Sequence, residues 1–218
     1  MSPHFVPVTP ALEEYLTSHS TRRDDVLTDL AKETAQLGGV SVMQIAELQG
    51  SLLSLLVKTI SAVRAIEIGT FTGYSAICIA RALPPHGKLL CCDVSDEWTQ
   101  IAKRYFARAQ VAEKIELRIG PALTTLRALP QEPLFDIGFI DADKVNQQNY
   151  YEEVLTRLRS GGLLLIDNVL RDGRVTDPTQ SDPSLDSVRA CNDAVARDPR
   201  VEVVMLPIAD GLSLIRKR

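Results

Sequence analysis

Histidine is scarce. The 218 residues contain three, and none neighbours an apolar run that ends in acid: His4 is in the N-terminal tail, His19 at an expected helix end, His86 in a Pro-Gly turn. That scarcity argues against a histidine-based triad or a His-rich zinc site and leaves chemistry to carboxylates, amides and lysine. Cysteine is sparse too. Cys78, Cys91, Cys92 and Cys191 form no CxxC pair, and two adjoin inside a strand-like run. Buried, reduced thiols in a cytoplasmic protein are expected. Basic clusters are missing apart from the closing "RKR", and the net charge is −4. Neither nucleic acid nor a membrane surface is an expected partner. No apolar run nears the ~20 residues a membrane span needs. The opening "MSPHFVPVTP" has no charged n-region and no apolar h-region, so no signal peptide is expected.

What is present is ordinary for a globular protein, with 45% hydrophobic and 24% charged residues. The length fits one domain over 1–218, divided into an N-terminal helical cap (1–62) and a core (63–218). Residues 9–39 read as two amphipathic helices. Thr9-Pro10 supplies an N-cap and an N1 proline, and Gly38-Gly39 a stop. A third helix is expected over 47–62. Short apolar runs then alternate with amphipathic segments: "RAIEIG", "KLLCCDV", "KIELRIG", "FDIGFID" and "GLLLIDN". Such runs suit parallel strands covered on both faces. Helices are expected near 73–83, 96–110, 121–129, 147–159 and 184–197, with Ser95-Asp96-Glu97 a good helix start. "VEVVMLPI" and "LSLIRKR" flank "ADG" as a hairpin. The fold class is α/β: a Rossmann-like, seven-stranded, mostly parallel sheet with helices on both faces and an antiparallel last strand, plus N-terminal helices. One loop, 169–183, is long enough to be functional.

"EIGTFTGYS" follows the first strand and opens a helix, where an open α/β sheet takes nucleotides. Phe71 occupies the middle position where a pyrophosphate needs glycine, and Glu67 would repel phosphate. The stretch suits a ligand with hydroxyl and ammonium donors. Asp93 ends the second strand, roughly 20 residues past Gly73, where an acid grips ribose hydroxyls. "GPA" at 120–122 could flank an adenine, so adenosine binding is favoured. Two further runs stop abruptly in acid: Ile140 into Asp141, and Ile166 into Asp167. Parallel strands end on one rim about 5 Å apart, which brings Asp141, Asp167 and Asn168 together beside the crevice. This all-oxygen set suits Mg²⁺, or Mn²⁺ or Ca²⁺, and not zinc. Lys144 reads as a solvated lysine, as a salt bridge to Asp143, or as a general base or positioning cation beside the metal.

Together with "MQIAELQGSLLSLL", "CDVSDEW", "DNVLRDGRV" and "LPIADGLSLIRKR", these stretches resemble the cation-dependent class I O-methyltransferases of caffeoyl-coenzyme A and catechol type, over about 22–218. The resemblance implies S-adenosylmethionine as cofactor, in contact with Ile45, Glu67, Gly69, Thr70, Ser75, Asp93, Ala122 and Asp141. It implies a divalent cation on Asp141, Asp167 and Asn168, with Lys144 catalytic beside Asp141. A homodimer is the default assembly. The sequence departs from the family at Ala46, where proline is usual, and at Arg171, where many relatives carry tryptophan. Arg171 and Asp172 point to a polar acceptor: a catechol-like, vicinal-diol or polyoxygenated molecule. Two alternatives stand beside this reading. One is a nicotinamide-dependent short-chain oxidoreductase, against which no tyrosine has lysine four residues on. The other is a non-catalytic module that only binds an adenosyl cofactor.

Overall fold

A computed structural model describes residues 6–218; His4 lies outside them. Helix α1 (Pro10–Ser18) starts as expected, with Thr9 Oγ1 accepting from Leu12 N at 3.3 Å and Pro10 in the first turn. His19 caps its end. Asp24 caps α2 (Asp25–Ala35), whose Leu27, Leu30 and Thr34 face inward. A 3₁₀ turn (Gly38–Met43) and an extended step then lead into α3 (Glu47–Thr59), which buries Gln49, Gly50, Leu53 and Val57. These residues follow helical spacing, so one stripe of α3 faces the core.

Gly38–Thr59 is long and apolar enough by composition to cross a membrane, contrary to the expectation of no such run. The helix breaks at Gln44–Ala46, however, and α3 packs on α4. Gly50 permits that packing, since a Cβ there would meet Cys78 Sγ and Tyr74 Cε1 at 2.9 Å.

Seven strands follow: β1 (Arg64–Ile68), β2 (Lys88–Asp93), β3 (Ile115–Ile119), β4 (Phe135–Ile140), β5 (Leu158–Asp167), β6 (Val201–Leu206) and β7 (Leu212–Lys217). Their order in the sheet is β3-β2-β1-β4-β5-β7-β6. β1 to β5 pair in parallel, and β7 inserts antiparallel between β5 and β6. The connecting helices are α4 (Tyr74–Ala82), α5 (Asp96–Arg108), α6 (Ala122–Ala128), α7 (Gln147–Arg157) and α8 (Pro183–Arg197). Several helix ends fall short of expectation: α2 stops at Ala35 rather than at Gly38-Gly39, α3 at Thr59, α5 at Arg108, and α7 at Arg157, where β5 begins at once.

Strand residues alternate between two cores, as the pleat requires. Ile137, Phe139, Leu163 and Leu165 join the helices of the cap, α4 and α5 on one face. Ile66, Ile68, Ile140, Leu164 and Ile166 join α6, α7 and α8 on the other.

Candidate active site

The strand register builds the site. Ile68 pairs with both Cys92 and Ile140, and Ile140 pairs with Ile166. The next residues along these four strands are Gly69, Asp93, Asp141 and Asp167, so they share one rim. Gly69 is the close-approach point: at φ +90° a Cβ there would lie 1.9 Å from the Asp141 carbonyl oxygen. Above this rim lies a cavity of about 780 Å³. Of the residues expected to hold a cofactor, Ile45, Gly69, Thr70, Ser75, Asp93, Ala122 and Asp141 line it. So do Lys144, Asp167, Asn168, Arg171 and Asp172.

Glu67, also expected to hold a cofactor, is not among the residues that line the cavity. It is fully buried one layer below, next to Cys91, and its Oε1 has no hydrogen-bond partner. Burial pushes its carboxyl up to about 7, only partly opposed by the nearby Ser75 and Thr70 hydroxyls and the Cys91 thiol.

Asp93 is already employed within the turn. Oδ2 accepts from Thr70 N at 2.8 Å and Phe71 N at 2.7 Å, and Oδ1 accepts from Ser95 N at 2.8 Å. A carboxylate has about four lone-pair sites, so one stays open toward the cavity, on Oδ1. Asp93 therefore shapes the glycine turn as well as presenting an acceptor. Phe71 meets Trp98, which the sequence reading did not single out, edge-to-face at 5.2 Å in the same wall.

Lys144 Nζ lies 3.1 Å from Asp141 Oδ1, with both side chains mostly buried. It does not pair with Asp143, whose carboxylate accepts from Tyr150 Oη at 2.5 Å and Asn146 Nδ2 at 2.7 Å. Asp167 is 3% exposed. Burial, then the charge of Asp141, pushes its carboxyl up to about 7, against the Asn168 N–H, Lys144 and Gln49. Gln49 is the residue the sequence reading missed: its Nε2 donates to Asp167 Oδ1 at 2.9 Å. The available signal was its place on the same core-facing stripe as Leu53 and Val57.

Backbone strain gathers here. Phe71, Asn168, Arg171, Asp172 and Ala209 all have φ between +48° and +57°, and all line the cavity. Such conformations cost on the order of 1–3 kcal/mol each and persist where the surroundings enforce them. At Arg171 and Asp172 the holding group is Asp210, whose carbonyl accepts from Leu170 N at 3.0 Å and whose Oδ1 accepts from Asp172 N at 2.6 Å; the rest of the 169–183 loop is clamped by Arg189 of α8. It donates to the carbonyls of Arg174 (2.8 Å), Val175 (3.1 Å), Asp177 (2.5 Å) and Gln180 (2.7 Å). Arg171 has no ion-pair partner among the described residues, and its Nε is buried without a hydrogen bond.

The lining carries six acids (Asp93, Asp141, Asp143, Asp167, Asp172, Asp210) against two cations, Lys144 and Arg171. An acid-rich cleft at the carboxyl ends of parallel strands repels phosphates and favours a cationic ligand.

Fold and site thus define a Rossmann-like transferase for a cationic adenosyl cofactor. Residues 17–218 match the family model described as O-methyltransferase, and the chain belongs to that family, which transfers methyl groups from S-adenosylmethionine to hydroxyls. It is 41% identical over 207 residues to "Probable caffeoyl-CoA O-methyltransferase 1" of Dictyostelium discoideum, covering 93% of this chain and 90% of that one. Two solved structures superpose with TM-scores of 0.87. One is the O-methyltransferase of Bacillus cereus in complex with SAH, at 32% identity and 95% and 97% coverage of the two chains. The other is TomG of Streptomyces achromogenes, involved in tomaymycin synthesis and solved in complex with SAM, at 31% identity and 95% and 96% coverage. The oxidoreductase reading is thereby set aside.

Proposed function

We propose that this O-methyltransferase acts on a hydroxyl of a small, oxygen-rich acceptor and uses a divalent cation held by Asp141, Asp167 and Asn168. The observation that carries the reading is the pair of carboxylates on adjacent strands. Asp141 stands near enough to Asp167 to raise its pKa, and Lys144 is the nearby positive charge. Two like charges in a buried setting call for a cation between them. Two carboxylates and an amide oxygen suit Mg²⁺, Mn²⁺ or Ca²⁺. Such an ion supplies Lewis-acid polarisation of a hydroxyl when bound.

This chain's own residues do the rest. The Asp93 Oδ1 site and the turn at Gly69–Thr70 hold the adenosyl cofactor. The acceptor oxygen attacks the sulfonium methyl in line: the O–C bond forms, the C–S bond breaks, and the sulfonium leaves as a neutral thioether. With a divalent cation on the two carboxylates Lys144 is no longer needed as their counter-charge, and its Nζ takes the hydroxyl proton as general base. Holding the two reactants in line can contribute several kcal/mol. Arg171, unpaired and with Nε buried, favours a carboxylate or polyoxygenated acceptor over a flat apolar one. Asp172 adds an acceptor for hydroxyls.

A homodimer suits the edge strand β6, whose Val203, Val204 and Met205 are exposed on both faces of the sheet. The four free, buried thiols suit the cytoplasm. Activity toward a panel of catechols and vicinal diols tests the reading. Exhaustive chelation should abolish turnover, and Mg²⁺ or Mn²⁺ should restore it; full turnover after chelation would refute the cation site.

A further inference from the structure

Gln49 sits in the first turn of α3, 2% exposed and in the cavity wall. Its amide is engaged at both ends. Oε1 accepts from Ala46 N at 2.9 Å, and Nε2 donates to Asp167 Oδ1 at 2.9 Å. Oδ1 also accepts the Asn168 N–H at 2.7 Å. A carboxylate oxygen offers about two lone-pair directions. Oδ1 is therefore filled, and Oδ2 is the oxygen left for a ligand. Only the bond to Ala46 N serves the helix start, as half of a capping box; alanine offers no reciprocal side-chain acceptor. The bond to Asp167 crosses 118 residues of sequence and adds nothing to α3 itself.

We propose that Gln49 is a positioning residue. By saturating Oδ1 it turns Oδ2 of Asp167 toward the ligand shared with Asp141 and Asn168. It also ties that carboxylate to the cavity wall at Ala46. The inference rests on the cation reading above, and its test separates the two.

The probe is Mn²⁺ alone, titrated by calorimetry into full-length protein, with S-adenosylhomocysteine titrated separately in chelator. Wild type should bind both, and a wild type that binds no Mn²⁺ would overturn the cation reading itself. Gln49→Met, of similar length and with no amide, should weaken Mn²⁺ binding at least tenfold while leaving S-adenosylhomocysteine affinity within about threefold. Unchanged Mn²⁺ affinity in Gln49→Met would overturn the role given to Gln49 and leave the cation site standing. Gln49→Glu covers the case where Gln49→Met fails to fold, because it keeps the acceptor for Ala46 N and replaces the donor with a carboxylate oxygen that repels Asp167 Oδ1. It should lose at least tenfold in kcat at saturating cofactor and Mn²⁺, with acceptor KM moved less than threefold. If Gln49→Glu matches wild type in kcat, Gln49 is only a helix cap and the inference fails.

Discussion

Replacing Glu67 by glutamine removes a carboxyl that the fold encloses completely and leaves half unpaired. Its folded pKa is raised from 4.5 to about 7, chiefly by burial. The folded chain therefore holds this proton more tightly than the unfolded chain does. The resulting stabilisation is fully present below pH 4.5 and is lost as pH rises through 7. A carboxyl moved from 4.5 to about 7 loses on the order of 3 kcal/mol across that window. An amide of the same shape does not titrate. Any fixed cost of burying the amide appears at every pH, so the signal is the change in the gap between the two proteins. Urea unfolding of cofactor-free wild type and Glu67→Gln at pH 4.5, 6 and 8 should show the variant gaining on wild type by roughly 3 kcal/mol between the extremes, with most of the gain below pH 7. A gap that stays constant, or closes as pH rises, would refute the account of Glu67 as a desolvated acid beneath the cofactor site.

Asp93→Ala deletes three charge-assisted bonds to backbone N–H groups, so it should cost about 3 kcal/mol or more of stability as well as cofactor affinity; chemical denaturation and calorimetry would report both, and a stable variant with normal affinity would contradict the assignment. Lys144→Ala should lower kcat more than it raises acceptor KM, as expected for a group acting mainly in the transition state; a change confined to KM would demote Lys144 to binding. Arg171→Trp should shift the ratio of kcat/KM for caffeate-type over polar diol acceptors toward the flat ring, and an unchanged ratio would clear the loop of any part in selection.

The sheet and its acid-tipped rim were legible because both arise from local pattern. Continuous apolar runs mark strands covered on two faces, and each run's end marks where the chain emerges. Asp93, Asp141 and Asp167 stand at those ends, and parallel pairing aligns them without further information. Side-chain pairing was less legible. Lys144 had two acids in reach by sequence, and only the capture of Asp143 by Tyr150 and Asn146 decides between them. Gln49 meets Asp167 because α3 crosses the rim, a tertiary fact with no local trace beyond a polar residue on a core stripe. The burial of Glu67 was not legible either. Its position beside the glycine turn is right, but the strand's alternation turns the side chain inward rather than into the cleft.

The four carbonyls gripped by Arg189 have a consequence for how this enzyme could diversify. A carbonyl looks the same whichever residue bears it, so the clamp is indifferent to side chains at 174, 175, 177 and 180. Residues 171 and 172, which line the cavity just ahead of this clamp, can then change without loosening the frame behind them. New acceptors can then be sampled by single substitutions, each tested against an intact scaffold, while loss of Arg189 would release the whole segment at once.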